Sequence, residues 1–129
     1  MDLKDLAGVH VLVVEDTDDS RELFRMALEY CGALVTTAAS ADEAKRILEN
    51  LRPHVLLTDI GMPDDGLELI REVKTVAQKK GLHIPAIAVT AYRDRHEELL
   101  AEGFAELVEK PVDPLALCEV VRRHAQLQT

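Results

Sequence analysis

Tryptophan is absent, and aromatic residues of all kinds make up 3% of the chain: two Phe and two Tyr. Single-stranded nucleic acid is bound on aromatic stacking platforms, and this chain has too few to build one. Positive charge is also scarce. Fifteen Lys and Arg stand against 24 Asp and Glu, a formal net charge of −9 at pH 7. That balance disfavours a phosphate backbone or an anionic membrane as the main partner. There is no apolar run of the length a membrane helix needs, and no basic stretch leading into an apolar one at the N-terminus, so neither a span nor a secretion signal is expected. The two cysteines, Cys31 and Cys118, lack metal-ligand spacing and lie in or near apolar helical patterns. They are expected to be small core residues in a reducing, cytoplasmic setting. A nucleotide fold is excluded because no glycine-rich fingerprint or Walker lysine follows the first apolar run. A calcium loop counted from Asp16 would need glycine and glutamate where the chain has Arg21 and Ala27.

What is present is alternation. The 129 residues are 47% hydrophobic, enough for one domain with a real core. Short apolar or β-branched runs predict strands at Val9–Val14, Ala33–Ala38, His54–Thr58, Ile84–Val89 and Ala105–Val108. Between and after them, helical spacing predicts Asp18–Cys31, a helix from Ser40 to about Leu51, Leu67–Lys80, Arg93–Glu102, and a last helix from Pro114 to about Ala125. Asp18 or Asp19 can cap the first of these, Ser40 and Glu43 form a capping box, and Asp113-Pro114 places a cap before a proline at the first helical position. Gly61–Gly66 is a loop by composition. Five alternations of strand and helix predict an α/β fold, a five-stranded parallel sheet with helices on both faces. Residues 1–8 are an N-terminal lead-in to a domain covering 9–126, with no further domain expected.

The chemistry lies where these strands end. Glu15-Asp16 follows the first strand, Asp59 the third, Thr90 the fourth, and Lys110-Pro111 the fifth. In an open parallel sheet all four ends share one edge, the edge at which such folds bind ligands. Carboxylates brought so close repel one another, which implies a bound cation; Mg²⁺ favours such oxygen ligands. Asp59 is the candidate nucleophile, since a carboxylate can accept a phosphoryl group as an acyl phosphate. Phosphoryl transfer is governed by positioning and electrostatics. Lys110 supplies a fixed positive charge and Thr90 a hydroxyl donor, while Glu15 and Asp16 offer metal ligands.

In these motifs the chain closely resembles the receiver domain of two-component response regulators, from about Val9 to Ala125, with Met62-Pro63 after Asp59 and Ala91 after Thr90 completing the pattern. The resemblance implies a doubly wound, flavodoxin-like sheet of strand order 2-1-3-4-5. It implies that Asp59 takes a phosphoryl group from a histidine kinase or a histidine phosphotransfer protein. Asp16, Asp59 and the Gly61 carbonyl would ligate Mg²⁺, with Glu15 acting through a metal-bound water. Thr90 and Lys110 would contact the phosphoryl group, and the Lys110-Pro111 bond would be cis. Such a domain is no enzyme beyond its own phosphorylation and dephosphorylation. It would signal to a downstream protein through its fourth helix, fifth strand and fifth helix, either as a stand-alone regulator or as part of a hybrid kinase. Three features depart from the family pattern. Leu107 stands where an aromatic residue is usual, the segment between Pro63 and Gly66 is one residue short, and Gly61 and Tyr92 flank the phosphoryl position.

Two other readings compete. A haloacid-dehalogenase-type phosphatase would use Asp16 of Asp16-Thr17-Asp18 as nucleophile, but it accounts poorly for Asp59 and lacks a cap domain or a late acidic pair. A non-phosphorylated interaction domain would leave the acidic set unused. One further feature stands apart from the site. Leu23, Met26 and Tyr30 form a second apolar stripe beside Phe24, Ala27 and Leu28 on the first helix, which is either a wide core-facing arc or a partner surface. The five histidines, His10, His54, His83, His96 and His124, are scattered over strand edges, loops and helix surfaces.

Overall fold

The computed structural model describes residues 5–60, 63–91 and 95–125. Strands β1 (His10–Val14), β2 (Leu34–Ala38), β3 (Val55–Asp59), β4 (Ala86–Thr90) and β5 (Glu106–Glu109) form one parallel sheet in the order β2-β1-β3-β4-β5. Helices α1 (Asp18–Tyr30), α2 (Ala41–Leu48), α3 (Pro63–Lys80), α4 (His96–Glu102) and α5 (Pro114–His124) alternate with them. The expected α/β architecture and strand order are therefore both present. β3 and β4 are buried along their whole length, as central parallel strands covered on both faces must be.

The period-two alternation of the strands divides the interior into two cores. Val11, Val13, Val55, Leu57, Ile87 and Val89 face one side, where α1 and α5 close over them with Phe24, Leu28, Leu117 and Val121. Leu12, Val14, Leu56, Ala86 and Ala88 face the other, under Ala44 and Leu48 of α2, Leu69, Ile70 and Val73 of α3, and Leu99 of α4. Both cysteines are buried in the α1–α5 core, as expected of small core residues. The Cys118 thiol donates to the Ala27 carbonyl at 3.4 Å, and its pKa is pushed up to about 12, chiefly by burial. Leu6 was assigned to the lead-in, yet it packs fully buried in this core, its N–H bonded to the Cys31 carbonyl at 2.9 Å.

Several boundaries differ from the sequence expectation. The largest difference is at α3, which begins at Pro63, so Pro63–Gly66 is helix and not loop. Proline at a first helical position loses no hydrogen bond, and its φ is already helical. Gly61 and Met62 lie outside the described residues. α4 begins at His96, with Arg95 as its N-cap, and α2 ends at Leu48. α1 takes Thr17, not Asp18 or Asp19, as N-cap; the two aspartates lie in its first turn. The remaining caps are as expected. Ser40 accepts from the Glu43 N–H while Glu43 accepts from the Ala39 N–H, and Asp113 accepts from the Leu115 N–H ahead of Pro114.

Gly103 ends α4 in the left-handed region, at φ 116° and ψ 10°. A Cβ there would fall 1.9 Å from Nζ of Lys74, which donates to the Glu102 carbonyl at 2.7 Å. Gly81, at φ 65°, has nothing within 4 Å of the equivalent position. Alanine at Gly81 is therefore expected to cost about 1 kcal/mol, from backbone conformation alone. Gly103→Ala should cost more, about 2–3 kcal/mol, because its φ lies further from the left-handed minimum and Lys74 must leave the helix end. Urea unfolding of the two variants measures the difference; equal costs would contradict this assignment.

Candidate functional site

The register carries the chemistry to one edge. Val14 pairs with Thr58, Asp59 with Val89, and Thr90 with Glu109, so the strands run out together. Ligand atoms of Glu15, Asp16 and Asp59 lie within 4.8 Å of one another. Glu15 and Asp59 are 1% and 7% exposed, whereas Asp16 is open to solvent. Across the cluster, Nζ of Lys110 stands 2.9 Å from Oδ1 of Asp59. Thr90 is fully buried at the end of β4, and its carbonyl accepts from the Lys110 N–H at 3.0 Å, which fixes the start of the β5–α5 loop beside it. The Lys110-Pro111 bond is cis, as the resemblance implies. Of the candidate site residues, Glu15, Asp16, Asp59, Thr90 and Lys110 thus end neighbouring strands at one edge; Gly61 lies outside the described residues.

Glu15 is tied down atom by atom. Its N–H donates to the Ala38 carbonyl at 3.0 Å, Oε1 accepts from the Thr17 N–H at 3.0 Å, and its carbonyl accepts from the Arg21 guanidinium at 3.0 Å. Only Oε2 is left over, buried without a hydrogen-bond partner, and Oδ1 of Asp59 likewise has the ion pair with Lys110 but no well-formed hydrogen bond. Buried carboxylate oxygens without donors are costly. Two of them, converging with a third carboxylate, are what a divalent cation requires, so this residue set fits a metal site. Burial first, then the contact with Asp59, push the Glu15 carboxyl up to about 7, against the opposing pull of the Thr17 N–H and Lys110.

Away from the edge, α1 shows which of two readings of its second stripe holds. Leu23, Met26 and Tyr30 are 50%, 58% and 64% exposed, so the stripe is surface, not a wide core arc. Leu107 is partly buried and packs against the core beneath α2, α3 and α4. Tyr92 lies outside the described residues. Sequence reasoning missed Arg21, which reaches back from α1 to the Glu15 carbonyl; only its spacing one turn beyond Asp18 hinted at it. It also missed that two histidines pair with β5 carboxylates, His124 with Glu106 at 2.7 Å and His96 with Glu109 at 3.6 Å. Neither pairing leaves a local sequence signal, because it depends on helices packing across the strand.

Comparison with known proteins agrees with this architecture. Residues 11–122 match the response regulator receiver domain family. The chain is 42% identical over 125 residues to an uncharacterised 14.6 kDa protein of Leptolyngbya boryana, covering 95% of this chain and 94% of that one. It is 33% identical over 111 residues to the response regulator SaeR of Staphylococcus aureus, matching 84% of this chain but 46% of SaeR, so it spans about half of that relative's length. Among solved structures, the receiver domain of the sensor histidine kinase PA1611 from Pseudomonas aeruginosa, with magnesium coordinated in its active-site cleft, superposes with a TM-score of 0.79 at 30% identity, covering 92% of this chain and 98% of that one. The chain belongs to the receiver domain family of two-component response regulators. Among the described residues, no helix is long and apolar enough to cross a membrane.

The Glu15 carboxyl sets a pH dependence. Its pKa in the folded protein, about 7, lies above the ordinary glutamate value of 4.5, so the folded state holds the proton more tightly than the unfolded chain. The stability it contributes is complete below the unfolded pKa and is lost as pH rises through the folded one. In metal-free protein, unfolding free energy should therefore fall more between pH 4.5 and 7 for wild type than for Glu15→Gln. Urea titrations across that range should show the two curves converging at low pH; parallel curves would contradict the assignment.

Proposed function

We propose that Asp59 is the phosphoacceptor of this receiver domain, served by Glu15, Asp16, Thr90 and Lys110. The observation that carries the reading is the buried Asp59 carboxylate paired with Lys110 at 2.9 Å, beside two further carboxylates. It also argues against the phosphatase alternative, since Asp16 is exposed and Asp59, not Asp16, holds the lysine.

The donor is a phosphohistidine on a kinase or a phosphotransfer protein. An Asp59 carboxylate oxygen attacks phosphorus, the P–N bond to the imidazole breaks, and the electron pair leaves with that nitrogen. Lys110, released in part from its pair with Asp59, faces the negative charge now on the phosphoryl oxygens. The Thr90 hydroxyl donates to one of those oxygens. Hydrolysis reverses the state: water attacks phosphorus, inorganic phosphate leaves, and the carboxylate pairs again with Lys110. Asp16 and Asp59, with Glu15 beside them and Gly61 as the resemblance implies, would hold Mg²⁺, which would supply charge neutralisation at the phosphoryl oxygens. The domain acts on no substrate beyond its own aspartyl phosphate.

The exposed stripe Leu23, Met26 and Tyr30 is the docking surface for the phosphodonor. α1 starts at the edge that carries the site, and a single apolar stripe would suffice to seat it on the sheet. Output runs through α4, β5 and α5 to a protein target. Its trigger is the movement of Thr90 and Lys110, which adjoin α4 and β5. Leu107 is already packed in the core, so the change at β5 is smaller than an aromatic swing would give. A cytoplasmic domain covering residues 9–126 is consistent with these partners.

Treatment with acetyl phosphate and Mg²⁺ should add one phosphoryl group by intact mass, and Asp59→Asn should remain unlabelled. Equal labelling of that variant would overturn the assignment. Mg²⁺ at millimolar levels and fixed ionic strength should raise the melting temperature by mass action, by about 2.7 kcal/mol of stability at a hundredfold excess over Kd. Leu23→Asp should slow phosphotransfer from a protein donor about tenfold while labelling by acetyl phosphate is unchanged, as for loss of one well-packed interface anchor. Equal slowing of both would place the stripe in the fold and not in docking.

A further inference from the structure

We propose that Arg21 is a positioning residue for the metal-binding carboxylates, its guanidinium fixing the backbone of Glu15 so that Glu15 and Asp16 are held at the sheet edge. The inference rests on the reading of the site given above. One guanidinium nitrogen donates to the Glu15 carbonyl at 3.0 Å, and the other pairs with Asp18 in the first turn of α1. The Arg21 backbone N–H also donates to the Thr17 carbonyl at 2.9 Å, while the Thr17 N–H donates to Oε1 of Glu15 at 3.0 Å. The Arg21 side chain thus reaches back to Glu15, while backbone and Glu15 carboxylate bonds hold Thr17 between them.

Three points make this more than a surface ion pair. The Asp18 side chain is 87% exposed, so its pairing with Arg21 is screened by water and contributes little. The Arg21 side chain is 22% exposed and its other partner is the carbonyl of a fully buried residue. Thr17 caps α1 without a side-chain hydrogen bond, so the usual restraint on a helix entry is missing where the site most needs one. The carboxylates repel one another, and that repulsion pushes against the loop that carries two of them. Mg²⁺ demands near-octahedral placement of its ligands, so a loop that yields loses affinity. Arginine aims fixed N–H donors of a rigid planar group at the carbonyl, whereas lysine offers a single flexible point charge.

Arg21→Met, Arg21→Lys and Asp18→Asn test this through calorimetric Mg²⁺ titration, hydrogen exchange of the Thr17 amide in metal-free protein, and acetyl phosphate labelling at saturating Mg²⁺. Arg21→Met should bind Mg²⁺ about tenfold more weakly, the scale of one lost hydrogen bond to a charged donor. Its Thr17 amide should exchange faster. Its labelling at saturating Mg²⁺ should return to within about twofold of wild type, the split expected when positioning and not chemistry is lost. Arg21→Lys should fall between, and it carries the comparison if the methionine variant does not fold. Asp18→Asn should match wild type in all three. Wild-type Mg²⁺ affinity and Thr17 exchange in Arg21→Met would overturn the proposal, as would a labelling defect at saturating Mg²⁺ with affinity intact. If wild type itself neither binds Mg²⁺ nor labels, the receiver reading of the site fails, and Thr17 exchange alone then decides whether Arg21 clamps the loop.

Discussion

Crowding three carboxylates at one end of a buried sheet is the constraint to which the rest of this molecule answers. Ligand atoms of Glu15, Asp16 and Asp59 sit within 4.8 Å of one another, and the Lys110 ammonium is drawn into them, paired with Asp59. Such a cluster opposes folding unless it is braced. Central strands β3 and β4 are buried on both faces, and the two cores that grip them are built from alternate residues of the same strands. The repulsion is therefore held by apolar packing well below the edge and by hydrogen bonds at it. What packing cannot relieve shows in the Glu15 carboxyl, whose pKa burial and the nearby Asp59 push up to about 7. The site stores an unmet demand for positive charge, which a cation answers directly and a phosphoryl group then exploits.

In the proposed reading the same geometry gives the signal a route. Thr90 and Glu109 are register partners, and the Thr90 carbonyl accepts from the Lys110 N–H, so the ends of β4 and β5 are joined at the site itself. α4 follows β4 and leans on β5 through His96 and Glu109, while α5 reaches β5 through Arg123 and His124 on Glu106. On that reading, a shift of the Thr90–Lys110 pair is felt by an edge strand that two helices hold by polar side-chain contacts. Edge strands and exposed ion pairs are the inexpensive parts of a fold to rearrange. In the proposed reading input has a separate surface: α1 lies on the opposite face of the sheet from α4, and its outward stripe of Leu23, Met26 and Tyr30 is distinct from the residues it buries.

Much of this was legible in the sequence because each strand is an apolar run that stops abruptly at a functional residue. Val11–Val14 ending in Glu15-Asp16, and Val55–Thr58 ending in Asp59, announce both a buried strand and a site at its end. What was not legible depends on neighbours. Gly61–Gly66 reads as loop by composition, yet α3 begins at Pro63, a residue suited to a first helical position. Whether Leu23 and Met26 are core or surface is set by where α5 packs along α1, which no local pattern encodes. Arg21 looks like any surface arginine until β1 and α1 bring the Glu15 carbonyl within its reach. Leu6 looks like a tail residue until the Cys31 carbonyl receives its N–H.

The central claim is that the phosphoryl group resides on the Asp59 carboxylate. The most direct test is reduction of the labelled protein with borohydride, which converts an aspartyl phosphate to homoserine, followed by peptide sequencing by tandem mass spectrometry. The account predicts homoserine at residue 59 and only after labelling in the presence of Mg²⁺. Homoserine at residue 16, or none at residue 59 in protein whose mass shows a phosphoryl group, would contradict it.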